Sequence, residues 1–184
     1  MNNLIIISGD LAAGKSTLAN ALSKELNIPF ITKDNLKEIA CDVIGYANRE
    51  ENRNLSITAT ESMIYFFKQV SMVGGDLIIE ANFRNNEIER VKEIAEEKGY
   101  NVILIVLYGD VNLLYQRFLD RLPDRHIAHK SLHLDRSIDD FTNYIAMIRN
   151  EDLIYEPHYI DMTELDEDDV VDKALEIIHE ELSF

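Results

Sequence analysis

The sequence predicts an α/β fold in which five short strands form a doubly wound parallel sheet covered by helices. Two observations carry that expectation. Short aliphatic runs alternate along the chain with segments whose apolar residues recur at helical spacing. One of those runs, Val102 to Leu107, is apolar without interruption, as a strand buried on both faces must be. At 184 residues and 46% apolar content, the chain suits one compact domain spanning residues 1–184.

Taken in order, Leu4-Ile5-Ile6-Ile7 reads as the first buried strand, and Leu18, Leu22 and Leu26 mark the helix beyond it. Between them lies Gly9-Asp10-Leu11-Ala12-Ala13-Gly14-Lys15-Ser16-Thr17, a G-x-x-x-x-G-K-S turn between strand and helix. Asn27 to Thr32 is a turn and second strand, delivering Lys33, Asp34 and Asn35 to its carboxyl end. A helix from about Leu36 to Ile44 follows, then a polar segment from Asn48 to Asn54. The next helix presents Ala59, Met63, Phe66, Phe67 and Val70 as one apolar face and ends at Gly74-Gly75.

Asp76 to Glu80 is the third strand. Asn86 with Glu89 resembles a capping pair for a helix that buries Ile88, Val91 and Ala95 and stops at Gly99. The fourth strand, Val102 to Leu107, leads to a helix carrying Val111, Leu114 and Phe118, interrupted at Pro123. Arg125 to Asp135 is polar and rich in histidine. A helix from Ile138 to Ile148, a fifth strand at His158-Tyr159-Ile160, and a final helix capped by Asp166 and burying Val170, Ala174 and Ile177 complete the chain.

The turn at 9–17 is a phosphate-binding P-loop by its residues and their order. Gly9 and Gly14 allow a tight turn and close backbone approach to phosphate oxygens. The amides of residues 9–17 and the helix start form a concave anion site. Lys15 adds a cation for the outer phosphates, and the Ser16 hydroxyl is a magnesium ligand. A nucleoside triphosphate with Mg2+ is therefore expected here.

Other residues fall at the same crevice. Asp34 can take the proton of a substrate hydroxyl and align it on the γ-phosphate, and it also suits a helix N-cap. Glu80, ending the third strand, occupies the place of a Walker B carboxylate and is a candidate metal ligand with Ser16. Asn82 and Arg84 follow and would face the acceptor, Arg84 clamping an anionic group; a solvated loop arginine accounts for Arg84 equally well. Arg117, Arg121 and Arg125 recur every four residues, a spacing that can place them on one stripe reaching a triphosphate. A salt-bridged outer face beside Asp120 and Asp124 accounts for the same pattern; the setting favours Arg121 or Arg125 as functional. His126, His129 and His133 have no cysteine or carboxylate to complete a zinc set, and a mobile loop over the nucleotide explains them without metal. Asp42-Val43-Ile44-Gly45 matches a GTPase D-x-x-G pattern but falls inside a helix.

Net charge is −16, concentrated after Asp161, which disfavours a nucleic-acid partner. The single cysteine, Cys41, forms no internal disulfide, and the N-terminus lacks the basic region of a signal peptide. With no membrane-length apolar run, these features point to a cytoplasmic protein, a monomer or homodimer, acting on a small molecule.

Gly9–Thr17, Thr32-Lys33-Asp34-Asn35, Ile78-Ile79-Glu80-Ala81-Asn82 and Arg121 to His129 together resemble the P-loop kinases of the AAA family ATPase/predicted kinase group. That group is related to polynucleotide 5′-kinase, zeta toxin and chloramphenicol phosphotransferase. The resemblance implies a three-layer α/β/α P-loop NTPase fold, strand order 2-3-1-4-5, with a helical lid at about 117–135. It also implies phosphorylation of a small-molecule hydroxyl by ATP–magnesium. By position, Asp34 takes the base role, Lys15 and Ser16 the phosphate and magnesium roles, and Arg121 and Arg125 the lid role; Asn82 matches the Asn of a D-x-N motif. Lys37 stands where an Arg often contacts the acceptor. Asp10 and Leu11 replace a more usual uncharged residue and Pro, and an acid there is expected to weaken nucleotide binding. Asp161-Met162-Thr163 is similar to the loop bordering adenine. Two other readings stay open: a nucleotide-switched binding module with contact surfaces at 48–54 and the acidic tail, and a toxin or RNA-end kinase.

Overall fold

In the computed structural model, which describes residues 2–83, 85–132, 134–151 and 153–182, the chain alternates strand and helix as expected. The strands are β1 (Asn3–Gly9), β2 (Phe30–Thr32), β3 (Leu77–Glu80), β4 (Asn101–Tyr108) and β5 (Pro157–Asp161). They pair in parallel in the order β2-β3-β1-β4-β5 that the resemblance implies.

Alternation along β1 divides the core in two. Ile5 and Ile7 face one side, together with Leu18 and Leu22 of α1 (Lys15–Leu26), Phe118 of α5 (Val111–Arg121) and Phe141 of α6 (Ile138–Arg149). Val170, Ala174 and Ile178 of α7 (Glu167–Leu182) join them. Leu4 and Ile6 face the other side, against Met63 and Phe67 of α3 (Arg49–Val73) and Val91 and Ala95 of α4 (Asn85–Lys98). Helices on both faces make the three layers. The final helix buries Ile178 completely and Ile177 only in part, one residue out of phase with the expectation.

α2 (Lys33–Ile44) begins three residues earlier than expected, and its N-cap is Thr32, whose hydroxyl accepts from the Asn35 amide at 3.2 Å. Asp34 therefore lies in the first helical turn. The polar segment 48–54, expected to precede the next helix, is instead its start, as the cap and first turns of α3. Asn48 caps it by accepting from the Glu51 amide at 3.0 Å, and Glu51 reaches back to the Ala47 amide at 2.6 Å. Phe66, expected in the core, is 39% exposed because the buried face of α3 centres on Met63 and Phe67. The Asn86–Glu89 pair rests on a side chain outside the described residues.

Strand register positions the site. Ile7 pairs with Glu80, and Glu80 with Thr32, so one row across β1, β3 and β2 ends at the same edge. The turn after β1 and the first turn of α2 both begin within two residues of that row. Among the described residues no helix is long and apolar enough to cross a membrane.

Candidate active site

The turn from Gly9 to Gly14 is held by backbone geometry that few residues tolerate. Gly9 has φ +126°, and a Cβ there would lie 2.0 Å from the Leu107 carbonyl oxygen of the adjoining strand. Ala12 and Gly14 are also left-handed, at φ 65° and 88°. A left-handed alanine in a phosphate-type loop is a locally strained position. The Lys15 ammonium folds over this turn and donates to the Gly9 and Asp10 carbonyls at 3.2 and 2.7 Å. Ser16 and Thr17 are exposed on the first turn of α1.

Asp10, the acid expected to weaken nucleotide binding, is turned into the protein and paired. Its side chain is 1% exposed, accepts from the Gly109 amide at 3.2 Å, and pairs with Arg149 at the end of α6. Arg149 Nη2 lies 2.5 Å from Asp10 Oδ2 and also donates to the Gly109 carbonyl at 2.7 Å. The acid is therefore neutralised by a forked partner that fixes the turn onto β4. Arg149→Met should leave that carboxylate buried and unpaired, costing about 2–3 kcal/mol after discounting for the arginine's partial exposure. A lowered midpoint in thermal unfolding checks this.

Glu80 is 5% exposed, and the Ser16 hydroxyl donates to it at 3.0 Å. Burial raises the Glu80 carboxyl above its ordinary value, opposed by the Lys15 charge, with Asp34 adding to the rise. A desolvated carboxylate beside a hydroxyl is a pair of hard oxygens that suits magnesium, whose charge would relieve the cost of burial. Asn82, expected on the acceptor, is anchored to β1: its Oδ1 accepts from the Ser8 hydroxyl and the Gly9 amide, both at 3.1 Å. Arg84 and His133 lie outside the described residues.

Opposite the turn, Asp34 is 64% exposed and faces the segment after α5. Its Oδ1 lies 3.9 Å from His129 Nδ1. The expected stripe of arginines is broken there. α5 ends at Arg121, which is exposed, and Arg125 lies beyond it in the turn before a short 3-10 helix, Ile127–Leu132. The Arg125 guanidinium stacks over the Phe118 ring at 4.9 Å, and burial lowers its pKa while Asp34 raises it. Arg117 instead reaches Met162 Sδ at 3.5 Å.

A cavity of about 220 Å³ opens here, lined by Phe118, Leu122, Arg125, His129, Lys130 and Asp135 among others. Lys37, expected to contact the acceptor, is 8% exposed, and its ammonium bonds to Asn52 Oδ1 at 2.9 Å and the Ala128 carbonyl at 2.8 Å. His126 and His129 pair with Asp42 and Glu38, each at 3.0 Å. Among the described residues no cluster of three or more His, Cys, Asp or Glu could hold a metal ion.

Residues 5–140 match a family model described as an AAA domain. No curated protein matches the chain in sequence. Among solved structures, the chain is similar to a protein from Chloroflexus aurantiacus J-10-fl provisionally assigned as a kinase. Identity is 28%, covering 95% of this chain and 97% of that one, with a TM-score of 0.80. A gluconokinase from Sinorhizobium meliloti 1021 is 14% identical over 97% and 92% of the two chains, with a TM-score of 0.65. The Mycobacterium tuberculosis APS kinase, solved with AMPPNP and APS, is 11% identical over 97% and 98%, with a TM-score of 0.62. The last two likenesses concern the fold alone.

Proposed function

The chain belongs to the AAA domain family, and from that footing we propose that it is a phosphotransferase moving the γ-phosphate of ATP to a hydroxyl of a small molecule. The observation that carries this reading is the convergence of three features at one sheet edge. They are the strained phosphate-type turn with Lys15, the Ser16–Glu80 oxygen pair, and an accessible carboxylate at Asp34. The kinases among structures of like fold agree with it, and the resemblance to the predicted-kinase group, with its kinship to polynucleotide kinase, zeta toxin and chloramphenicol phosphotransferase, supports it.

In this reading the amides of residues 9–17 and the Lys15 ammonium hold the phosphates. Lys15 exchanges its two carbonyl partners for phosphate oxygens, so its charge tracks the transferred group. Ser16 and Glu80 would hold magnesium, which supplies charge neutralisation at the phosphates. Asp34 orients the acceptor hydroxyl and accepts its proton as the oxygen–phosphorus bond forms and ADP leaves. Arg121 and Arg125 supply positive charge from the lid. Arg84 remains the acceptor contact expected from the sequence, while Asn82 braces the phosphate turn through Ser8 and Gly9. The protein works in the cytoplasm, as a monomer or homodimer.

Incubation with ATP–magnesium and pooled hydroxylated metabolites, read by 31P NMR, tests the proposal. A new phosphoester resonance appearing with ADP is expected. Production of ADP and inorganic phosphate alone from every pool would favour the nucleotide-switched module instead.

A further inference from the structure

Lys37 is a buried cation that the proposed reaction does not use. It belongs to a closed triangle of hydrogen bonds joining three elements. Its ammonium donates to Asn52 Oδ1 on α3 at 2.9 Å and to the Ala128 carbonyl of the lid at 2.8 Å. The Asn52 amide also donates to that carbonyl, at 3.0 Å. Lys37, Asn52 and Ala128 are 8%, 4% and 0% exposed, so none of these groups has ready recourse to water.

The rest of this lid segment is tied to the same two helices and their connection. The Tyr46 hydroxyl donates to the Ile127 carbonyl at 2.8 Å, while His126 and His129 meet Asp42 and Glu38 of α2 at 3.0 Å. Asp34, Glu38 and Asp42 recur every four residues and so form one acidic ridge along α2, beneath Arg125, His126 and His129. Towards α5, the Arg125 guanidinium stacks over the Phe118 ring and the Tyr115 hydroxyl donates to the Asp135 carbonyl at 3.4 Å.

We propose that Lys37 is a positioning residue: with Asn52 it fastens the lid to α2 and α3 through the Ala128 carbonyl, and so sets Arg125 and His129 against Asp34. Lid and acceptor-side helices then move as one body over the phosphate loop. The inference rests on the phosphotransferase reading for its purpose, but the fastening itself is testable without turnover.

Hydrogen exchange and NMR titration of the full chain provide that test, on Lys37→Met and, separately, Asn52→Leu, which leaves the charge in place. Either change leaves a buried acceptor short of a donor. Exchange of the Ala128 and His129 amides should accelerate by about five- to a hundredfold, with the amides of β1 and β4 unchanged. In the native protein burial depresses the His129 imidazole pKa. Asp34 and Glu38 raise it, Lys37 and Arg125 lower it, and His126 lies beside it, ring centroids 6.4 Å apart. Lys37→Met should therefore move the His129 midpoint upward by more than Asn52→Leu does. Native lid protection with an unmoved His129 midpoint in both variants would overturn the proposal. So would equal acceleration throughout the sheet and lid, which marks a general loss of stability. If Lys37→Met fails to fold, the exchange result for Asn52→Leu decides. A failure of phosphoryl transfer leaves these outcomes untouched, and a free lid leaves the role of Asp34 standing.

Discussion

Lys15→Ala should lower ATP turnover on the order of 10³-fold and weaken ATP binding, while the fold survives. The ammonium bonds to the carbonyls of Gly9 and Asp10, and the Asp10 carbonyl also accepts from the Ala13 amide at 3.3 Å. Asp10 remains fixed by Arg149 and Gly109, and Gly9 by Asn82, so the turn keeps its shape. On the proposed reaction, what is lost is the cation that follows charge onto the transferred phosphoryl group. Circular dichroism and thermal unfolding should match the native protein, and a coupled ADP assay reads the loss.

Asp34→Asn should reduce phosphoryl transfer by about 10²–10⁴ and leave ATP affinity close to native. Asp34 is well exposed in the first turn of α2, which Thr32 caps, so losing its charge should cost the helix start no more than about 1 kcal/mol. An amide of the same shape keeps the contacts of the site but cannot take the hydroxyl proton. Single-turnover transfer to the acceptor found by 31P NMR, together with a nucleotide titration, separates the two effects. Native transfer by the variant would contradict the base assignment.

Much of the fold was legible because burial on both faces writes itself as unbroken aliphatic runs, as at Ile5–Ile7 and Val102–Leu107. The phosphate turn was legible because its demands are local: glycine at Gly9, where the neighbouring strand leaves no room for a Cβ, and a strand and helix on either side. The start of α3 was missed because its first turns carry polar residues that show no apolar stripe. The signal was present in Asn48 and Glu51, a capping pair three residues apart. Phe66 was misplaced because neighbouring apolar residues leave the phase of a helix ambiguous by one position.

The partners of the site were less legible. Asp10 and Arg149 are separated by 139 residues, and no local pattern links a lone arginine late in a helix to an acid in the first turn of the chain. Lys37 and Ala128 pose the same problem: the contact between α2 and the 3-10 segment runs through a backbone carbonyl, which leaves no trace in side-chain identity. The arginine spacing suggested one stripe, but α5 stops at Arg121, and Arg125 is placed by the turn that follows and by its stack on Phe118.

The central claim is that the turn from Gly9 to Thr17 receives the triphosphate of ATP with magnesium held by Ser16 and Glu80. Isothermal titration of the native chain with ATP, with and without magnesium, tests it most directly. The account predicts saturable heat at one site, tighter binding with magnesium, competition by ADP and loss of the magnesium effect in Glu80→Gln. Absence of heat with ATP–magnesium and no competition by ADP would contradict it.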